Sequence, residues 1–391
     1  MSIQGLTLDQ LGSVSRGRSR HRPRNAEFLY GGPYPFVQTG DVKKAGLYLR
    51  DFEQTYSDAG LAQSKLWPVG TLCITIAANI AETSILDIEA CFPDSVIGFT
   101  ADPAKADVRF VKYLFDAVLK MQFRSFTQGA AQDNLSQEKL LSIRFPVPEL
   151  RVQKRIADIL STYDDLIENN RRRIALLEEA ARLLYREWFV HLRFPGHEHA
   201  KIADGLPEGW KRRPLIDLAE VVMGQSPKSE FYNEAGDGLP FHQGVTDYGF
   251  RFVSHRKYST KVTKIAEAGD ILVSVRAPVG RINITRDRIV LGRGLAALRS
   301  RTRHQSFLFY ALKSHFYAED IIGSGAIYGA TNKKELEGQE LLVPSNLLLT
   351  EFEAAASAID QQIANLTIQN EKLSQARDLL LPRLMNGEIA V

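Results

Sequence analysis

The chain has 391 residues, of which 44% are hydrophobic and 24% are charged, and its formal net charge is +3. This length accommodates two globular domains, each with a buried core. The sequence contains no run of about 18 apolar residues, no basic-then-apolar leader, and only two separate cysteines, Cys73 and Cys91. We therefore expect no transmembrane helix, no export signal and no disulfide framework, and we expect a cytoplasmic protein without a membrane partner.

Basic residues are concentrated in two segments of the chain. Residues 1–50 contain eight Lys or Arg against three Asp or Glu, and residues 271–304 contain eight Arg against one acid, Asp287. Local basic faces on a nearly neutral protein are typical of a surface that contacts phosphates. Solvated basic loops are an equally good interpretation of the charge alone.

The first half of the chain begins with short strand and turn patterns. In "SRGRSRHRPRN" (15–25) an Arg stands at every second position. In an extended segment these side chains share one side, and Arg suits bidentate contact with phosphate or guanine. A disordered, solvated loop is the alternative. Further on, "VGTLCITIAA" (69–78) places a Gly before alternating apolar residues, which predicts a turn into a half-buried strand.

A long helix is predicted from residue 149 onward. Apolar or small residues recur there at alternating intervals of four and three, with one Asn among them, which predicts a coiled-coil seam. The seam residues are Ile156, Leu160, Tyr163, Ile167, Asn170, Ile174, Leu177, Ala181, Leu184 and Trp188. The acidic pairs at 164–165 and 178–179 lie outside this seam, which favours a solvated or partner-binding face over an acid–base pair.

The segment after this helix is predicted to be an exposed connection between the halves. We expect the helix to end at Phe194 and residues 195–210 to form the linker. Nearby stand His191, His197 and His199, without a Cys or a fourth ligand at a suitable spacing. We therefore predict no metal site there.

The second half of the chain repeats the first. "LTLDQLGSVSRGRS" (6–19) is echoed by "RPLIDLAEVVMGQS" (213–226), "YPFVQTGDV" (34–42) by "LPFHQGVTD" (239–247), and "VGTLCITIAA" by "AGDILVSVRA" (268–277). "NLSQEKLLSIRFPVPEL" (134–150) then has a counterpart in "TNKKELEGQELLVPSN" (331–346). Because the order is preserved, each unit is predicted to be one domain of mixed strand and helix, used twice.

The polar surface is not duplicated with the scaffold. The loop "GQSPKSEFYNEAGDG" (224–238) is much less basic than the arginine series of the first copy. The basic residues of the second copy appear later, at Arg276, Arg281, Arg286, Arg288 and Arg293. Two copies that share a scaffold and differ in surface residues suggest two different ligands bound in one manner.

A second long helix closes the chain with a seam of the same period. Its seam residues are Phe352, Ala356, Ile359, Ile363, Leu366, Asn370, Leu373, Arg377, Leu380 and Leu384. If Ile156 lies opposite Leu384 in an antiparallel pair, Asn170 and Asn370 also face each other. Because paired buried amides can satisfy each other and fix the register, we predict an antiparallel pair within one chain. Pro382 should end or bend the second helix near its last turn.

The motifs of several enzyme classes are missing. There is no Gly-x4-Gly-Lys-Ser/Thr phosphate loop and no Asn/Asp-Pro-Pro-aromatic run, the short motif of amino-methylating enzymes. "GSGAIYG" (323–329) has the spacing Gly-x-Gly-x3-Gly and follows a helical stretch, which favours a structural turn over a dinucleotide site. The sequence therefore predicts no catalytic residue, metal or cofactor on this chain.

These features together resemble the specificity (S) subunit of type I restriction-modification enzymes over nearly the whole chain. The resemblance is carried, in this order, by "QDNLSQEKLLSIRFPVPEL" with "QKRIADIL", "LLYREWFVHLRFPGHE", "LPEGW", "GATNKKELEGQELLVPS" and "LLLPRLMNGEI". In that family each repeat is a target recognition domain for one half of a split DNA sequence. The resemblance implies an α+β fold: two pseudo-repeated mixed α/β target recognition domains separated by two long helices that form an antiparallel coiled coil.

Five segments follow from the patterns and the resemblance. We expect a first recognition domain at 1–148, a central helical spacer at 149–194, a linker at 195–210, a second recognition domain at 211–345 and a C-terminal helical spacer at 346–391.

The resemblance also implies DNA-contacting residues in each domain, with Asn134 and Asn332 at equivalent sites. The candidates in the first domain are Arg16, Arg18, Arg20, Arg22, Arg24, Gln38, Lys43, Lys44 and Asn134. Those in the second domain are Gln243, Arg276, Arg281, Arg293, Asn332, Lys333 and Lys334. Gln38 and Gln243 follow matched Pro-Phe turns, and hydrogen bonding at the edge of the core is the alternative to base contact for both.

The family's S subunit has no catalytic residues, and its partners supply the chemistry. The resemblance implies double-stranded DNA, two modification subunits docked on the helices, and motor-nuclease subunits where the system restricts. It places S-adenosylmethionine, ATP and Mg on those partner subunits only. The S subunit of a methylation-only system, a non-enzymatic coiled-coil DNA-binding adaptor and a self-sufficient enzyme remain alternatives, the last disfavoured by the missing motifs.

Overall fold

A computed structural model describes residues 3–126, 136–316 and 330–391 of the chain. The chain divides into two compact units. Unit 1 comprises Met1–Arg173 with Asn365–Val391, and unit 2 comprises Ile174–Ala364. Among the helices of the described ranges, none has the length and apolar character that a bilayer span requires.

Unit 1 contains two small sheets and a two-stranded ribbon. Its strands are β1 (Ile3–Leu6), β2 (Gly12–Arg16), β3 (Tyr30–Phe36), β4 (Tyr48–Leu49), β5 (Gln54–Tyr56), β6 (Leu66–Trp67), β7 (Leu72–Thr75), β8 (Thr83–Leu86), β9 (Ala90–Cys91), β10 (Val96–Ala101) and β11 (Phe145–Pro148). Its helices are α1 (Leu8–Leu11), α2 (Thr39–Lys44), α3 (Asp58–Ala62), α4 (Val108–Phe126) and α5 (Gln137–Ser142), followed by the long α6 (Leu150–Tyr185) that runs into unit 2. The strand orders are β2-β10-β7-β8-β4 and β5-β3-β9-β6, and β1 pairs with β11.

Unit 2 repeats this plan. Its strands are β12 (Ile202–Ala203), β13 (Leu206–Pro207), β14 (Lys211–Pro214), β15 (Ala219–Met223), β16 (Tyr232–Asn233), β17 (Leu239–His242), β18 (Tyr258–Ser259), β19 (Ile265–Ala266), β20 (Ile271–Ser274), β21 (Ile282–Ile284), β22 (Ile289–Leu291), β23 (Leu295–Ser300) and β24 (Glu340–Val343). Its helices are α7 (Leu215–Leu218), α8 (Gln305–Phe316) and α9 (Lys333–Glu337), followed by the long α10 (Asn346–Met385). The strand orders are β15-β23-β20-β21 and β16-β18-β17-β22-β19, with the ribbon β14-β24 and the hairpin β12-β13.

The predicted duplication is confirmed by the topology. The order β2-β10-β7-β8 of unit 1 recurs as β15-β23-β20-β21 in unit 2, with every neighbouring pair antiparallel. In both copies an antiparallel ribbon joins the first and last strands of the domain immediately before a long helix begins. The mixed strand-and-helix fold class is therefore confirmed as well.

The two long helices run antiparallel in each unit taken by itself. In unit 1, Ile156 near the start of α6 shares a buried cluster with Leu384 near the end of α10. In unit 2, the ring of Tyr185 at the end of α6 lies 5.9 Å from that of Phe352 near the start of α10. These contacts confirm the predicted direction of the pair.

The two seam asparagines both belong to unit 1. Asn170 is buried, and the buried Oδ1 of Asn370 accepts no hydrogen bond from a described residue. The predicted pairing of these two amides therefore stays a prediction. Helix α10 continues through Pro382 and ends at Met385, so its end near the proline agrees with the sequence.

The segment around the linker differs from the prediction. The first long helix ends in a π-helical turn at Arg186–Val190, before Phe194. Phe194 and Trp210 are both buried, with their rings 5.1 Å apart in the core of unit 2. An entirely exposed connection was thus the wrong expectation, because burying the two aromatic rings anchors the segment at both ends.

The acidic residue Asp164 of α6 is not on a solvated face, contrary to the prediction. It is buried in unit 1, where the hydroxyl of Tyr113 and the guanidinium of Arg377 both donate to its carboxylate. Burial and the neighbouring carboxylate raise the pKa of Tyr113, so this hydroxyl keeps its proton. The sequence pattern missed this contact because Arg377 was assigned to the seam without a partner.

Glu178 was also placed on the solvated face, and it is buried in unit 2. Arg251 donates to Glu178, to Asp360 and, at 3.0 Å, to the hydroxyl of Tyr310. Lys313 donates to the second oxygen of Glu178 at 3.3 Å. Two cations and two carboxylates thus compensate each other, which is what buried charges require.

Candidate nucleic-acid interface

In unit 1, one edge of the larger sheet collects the ends of several strands. Because β2, β10 and β7 are antiparallel neighbours, the end of β2, the start of β10 and the end of β7 meet there. Gly17 N donates to Val96 O at 2.9 Å, and Ile76 N donates to Ser95 O at 3.0 Å. The chain after β3 joins them, since Lys43 Nζ donates to Asn79 Oδ1 at 3.0 Å. We call residues 16–24, 37–44, 76–82 and 92–95 the loop edge of unit 1.

Unit 2 has an equivalent edge. Gly224 N donates to Leu295 O, and Val275 N donates to Gly294 O, each at 2.9 Å. Gly294 N in turn donates to the carbonyl of Gln243, which follows β17, at 3.2 Å. We call residues 224–228, 243–247, 275–281 and 292–294 the loop edge of unit 2.

A glycine permits the close crossing of chains at each edge. A Cβ on Gly17 would lie 2.3 Å from the carbonyl oxygen of Pro93, and one on Gly224 would lie 2.1 Å from that of Gly292. Both distances are far below van der Waals contact with a backbone atom. The two copies therefore build their loop edges on the same backbone approach.

The arginine series of unit 1 lies on its loop edge. It begins at the end of β2, and the chain bends and turns over residues 21–25. Its alternation matches the sequence pattern, since Gly17 and Ser19 are buried between exposed neighbours. The exposed residues are Arg16, Arg18, Arg20, Arg22 and Arg24. The guanidinium groups thus lie on the solvent side of this segment.

Two members of the series are already engaged within the protein. Arg24 forms an ion pair with Asp94 at 2.8 Å, and Arg22 Nη1 donates to the carbonyl of Ser19 at 2.7 Å. The other three arginines of the series, Arg16, Arg18 and Arg20, have side chains without an ion-pair or hydrogen-bond partner among the described residues. These three guanidinium groups are therefore not engaged by the described part of the protein, whereas Arg22 is held by backbone carbonyls and Arg24 by a carboxylate.

The remaining candidates of the first loop edge also have internal partners. Gln38 Nε2 donates to Gln54 Oε1 at 2.6 Å, and Lys44 forms an ion pair with Glu53. All four of these side chains are exposed. The hydrogen bond of Gln38 thus lies at the surface, and base contact by Gln38 stays a prediction.

In unit 2, three residues of the loop edge form one hydrogen-bonded group. Ser226 Oγ donates to Gln243 Oε1 at 3.0 Å and accepts from the backbone N of Arg293 at 3.1 Å. The side chains of Gln243 and Arg293 are exposed. The structure thus brings together two of the predicted DNA contacts through a serine that the sequence did not single out.

Arg276 and Arg281 flank one turn of the same edge. Arg281 N donates to Ser274 Oγ at 2.9 Å. The equivalent turn of unit 1 has the same bond, from Glu82 N to Thr75 Oγ1 at 3.0 Å. An Arg in one copy therefore occupies the position of a Glu in the other.

The comparison with protein families divides the chain in the same way as the structure does. The family model described as type I restriction modification DNA specificity domain matches residues 5–179 and 207–375. Each match covers one copy of the repeated domain and part of the long helix after it. The chain belongs to this family.

Named relatives agree with the specificity-domain assignment, and one solved structure has the same fold. The putative type I restriction enzyme MjaX specificity subunit of Methanocaldococcus jannaschii is 33% identical over 271 residues, 66% of this chain and 62% of that protein. The alignment thus spans less than two thirds of that relative. The type I restriction enzyme MjaIX specificity subunit of the same organism is 24% identical over 389 residues, 93% of this chain and 88% of that protein. The crystal structure of a type I restriction-modification system S subunit from M. genitalium has a TM-score of 0.63 at 18% identity, covering 98% of this chain and 96% of that one, which shows the fold.

The last of the predicted DNA-contacting residues lie at the start of α9. Asn332 caps this helix, since its side chain accepts from Glu335 N at 3.0 Å. In unit 1 the same role belongs to Ser136, which accepts from Lys139 N at 3.1 Å at the start of α5. The predicted equivalence of Asn134 with Asn332 is therefore wrong, and Asn134 itself lies outside the described residues.

The two lysines after Asn332 are exposed beside the loop edge of unit 2. Thr331 N donates to the carbonyl of Val275 at 2.8 Å, which ties this segment to the turn of Arg276. Lys333 forms an ion pair with Glu337 at 3.4 Å, and Lys334 is exposed on the same short helix.

Sequence reasoning missed a polar chain behind Gln243. Buried His242 Nε2 lies 2.9 Å from His255 Nδ1, and His255 Nε2 lies 2.9 Å from Asp287 Oδ2. Burial, and then the charge of His255, lower the pKa of His242 to about 4. No local pattern signals this chain, because its members are far apart in sequence. In the described ranges no group of three or more His, Cys, Asp or Glu is arranged to hold a metal ion.

Proposed function

We propose that this specificity chain recognises a bipartite double-stranded DNA target for a type I restriction-modification complex, each recognition domain binding one half. The observation that carries the proposal is the pair of loop edges. One backbone plan presents unpaired arginines in unit 1 and the group of Ser226, Gln243 and Arg293 in unit 2. Different side chains on one scaffold suit two half-sites of different sequence.

The residues of each edge suit different tasks at a duplex. Exposed guanidinium groups such as Arg16, Arg18 and Arg20 neutralise phosphates and position the domain without reading sequence. Amide side chains such as Gln243 bond to base edges in the major groove, where each base pair has its own pattern of donors and acceptors. We assign phosphate contact to these three arginines of unit 1 and base contact to Gln243 of unit 2.

We propose further that the paired long helices set the separation of the half-sites and dock two modification subunits. On α6 and on the π-helical turn that follows it, a second set of apolar residues is exposed, away from the buried seam. Ile159 and Leu166 lie seven residues apart in unit 1, and Leu176, Leu183 and Val190 lie at the same interval in unit 2. Exposed apolar stripes on a helix are typical of surfaces that bind another protein.

The chemistry is proposed to reside on the partners. We propose that S-adenosylmethionine, ATP and Mg bind to the modification and motor-nuclease subunits, and that this chain contributes no catalytic group. This proposal rests on the missing phosphate-loop and amino-methylation motifs.

The experiment is to map methylated bases genome-wide in cells with and without this gene. We expect one split sequence motif to lose its methylation when the gene is deleted and to regain it on complementation. An unchanged methylation map contradicts the proposal. Challenge of the same strains with unmethylated phage separates a restricting system from one that only methylates.

A further inference from the structure

We propose that Ser226, Gln243 and Arg293 form a base-reading site that selects guanine in the half-site bound by unit 2. This inference rests on the proposed function. It names the base that unit 2 requires at one position of its DNA half-site. Ser226 acts as a positioning residue, and Gln243 and Arg293 make the contacts.

The backbone of Gln243 is fixed from two sides. Gly292 N donates to the carbonyl of His242 at 2.8 Å, and Gly294 N donates to that of Gln243 at 3.2 Å. A Cβ on Gly292 would lie 2.7 Å from Gln243 Cα, and one on Gly294 would lie 2.4 Å from Gln243 O. Gln243 is therefore exposed and yet held closely by its neighbours, as a preorganised contact residue must be.

The side-chain amide of Gln243 is oriented by Ser226. Because Ser226 Oγ already accepts from the backbone N of Arg293, its own proton is available to Gln243 Oε1, which lies 3.0 Å away. In this arrangement the hydroxyl donates its proton to the amide oxygen and uses one of its two lone pairs for the backbone N–H of Arg293. The amide oxygen thus points to Ser226, and the NH2 group is left for a ligand.

The groups that this site presents are donors. The free NH2 of Gln243 has two N–H groups, and the guanidinium of Arg293 has donors only. Guanine presents two adjacent acceptors, O6 and N7, in the major groove, whereas adenine and cytosine present an amino donor and thymine a single acceptor beside a methyl group. Guanine is therefore the base whose edge matches this site.

The described positions of unit 1 that correspond to this site carry different side chains. The residue at the position of Arg293, just before β10, is Asp94, and it is paired with Arg24. The glutamine at the position of Gln243 is Gln38, whose NH2 donates to Gln54. Selection of guanine by this mechanism is thus specific to unit 2, and Gln38 provides a matched control.

The test is methylation of a plasmid library with randomised target positions by the full-length chain co-expressed with its modification subunit. The chains compared are wild type, Gln243→Glu, Ser226→Ala and the control Gln38→Glu. Wild type should require guanine at one position of one half-site. Gln243→Glu replaces a donor by an acceptor, so it should lower methylation of guanine targets at least about tenfold and favour cytosine at that position. Ser226→Ala should relax the same position. Gln38→Glu changes the loop edge of unit 1, so it should leave the base preference at this position of the unit 2 half-site unchanged, whatever its effect on the other half-site.

Several results would overturn the inference. One is an unchanged base preference in both unit 2 variants. Another is a variant that loses methylation of targets with adenine or thymine at this position and keeps that of targets with guanine. The third is an equal loss of methylation on every sequence by variants that have the melting temperature of wild type. A wild-type complex that methylates no split motif instead refutes the proposed function, and that arm is measured before the variants are interpreted.

Discussion

The two units share a buried contact between a recognition domain and its own long helix. In unit 1 the hydroxyl of Tyr113 on α4 donates to Asp164 on α6. In unit 2 the hydroxyl of Tyr310 on α8 donates to Asp360 on α10 at 2.8 Å. Burial raises the pKa of both tyrosines, so both remain donors. This neutral-to-charged hydrogen bond is repeated together with the fold.

The cation that compensates the aspartate differs between the units. Arg377, on the other long helix, pairs with Asp164 and retains partial solvent access. Arg251, on a loop of the recognition domain, is buried and serves both Asp360 and Glu178. The duplicated scaffold therefore fixes where the carboxylate stands but not where its countercharge comes from.

The loop edges show the same division between backbone and charge. The position of Asp94 in unit 1 is occupied by Arg293 in unit 2, and that of Glu82 by Arg281, although the turns make the same backbone contacts. A scaffold whose edge positions accept opposite charges can bind different sequences without changing its core. The two units should therefore respond alike to changes in the shared backbone and differently to changes in charge.

The largest effect is expected from Arg251 in unit 2. Arg251→Met leaves the buried Glu178 and the half-buried Asp360 without their main cation, which should destabilise unit 2 by about 3–5 kcal/mol. Arg377→Met in unit 1 should cost less, because the Arg377 side chain is partly solvated and its loss leaves one buried carboxylate, Asp164, without a cation. Pulse-labelled hydrogen exchange in urea resolves the two units. Equal losses in both variants would show that the two countercharges are equivalent.

The crossing glycines should instead behave alike. Gly17→Ala and Gly224→Ala each force a methyl group into a backbone carbonyl, and each should destabilise its own unit by about 1–3 kcal/mol. The matched controls are Gly40→Ala and Gly244→Ala, where the added Cβ meets no atom within 4 Å. Thermal melts of the four chains check this. If Ala at a crossing glycine lowered the melting temperature no more than Ala at its control, the close backbone approach would not be a constraint that the two units share.

Of the two units, unit 2 should have a stability that depends on pH through the protonation of His242. Its pKa is lowered to about 4 from an ordinary value of 6.5, mainly by burial and by His255, against the opposing charge of Asp247. The unfolded chain therefore binds the proton first, so stability is full above about pH 6.5 and is lost toward pH 4, by up to about 1.4 kcal/mol per pH unit.

Urea unfolding at pH 7 and at pH 5, with labelling at a common pH, measures this loss in each unit. His242→Val installs the residue that unit 1 has at the equivalent position, Val37, and should flatten the dependence of unit 2. An undiminished slope in this variant would assign the effect to another group.

The smallest effect per residue is expected from the unpaired arginines of unit 1. Removing Arg16, Arg18 and Arg20 should weaken binding to all duplexes alike and flatten the plot of log K against log salt by about one unit for each phosphate that is no longer neutralised. Arg24→Ala should change the slope less, because Arg24 is paired with Asp94. Binding titrations at several salt concentrations measure both. A sequence-dependent loss would contradict the assignment of these arginines to phosphates.

The sequence predicts the parts of the fold that local patterns encode. The heptad spacing predicted both long helices, the placement of the two seam asparagines predicted the antiparallel direction, and the internal repeat predicted the two domains. The partners of charged residues do not follow from such patterns. Arg24 pairs with a carboxylate 70 positions away, and Glu178 with Arg251 at 73 positions, distances that only the folded chain closes.

One error came from matching residue types in place of roles. Asn332 and Ser136 occupy the same cap, because Asn and Ser side chains both accept the hydrogen bond that a helix start requires. Matching Asn134 with Asn332 therefore displaced the predicted equivalence of the two helix starts by two residues. The site at Ser226 escaped notice for a related reason, since a serine in a turn has no distinctive spacing.

The most direct test is hydrogen exchange of the full-length chain with and without its target duplex, once the methylated motif is known. We predict protection at both loop edges, including 16–24 in unit 1 and 243–247 in unit 2. The opposite ends of the same sheets, 102–107 and 301–304, should be unchanged. Protection at those opposite ends, or at the edge of one unit only, would contradict the account of two matched domains that each bind half of the target.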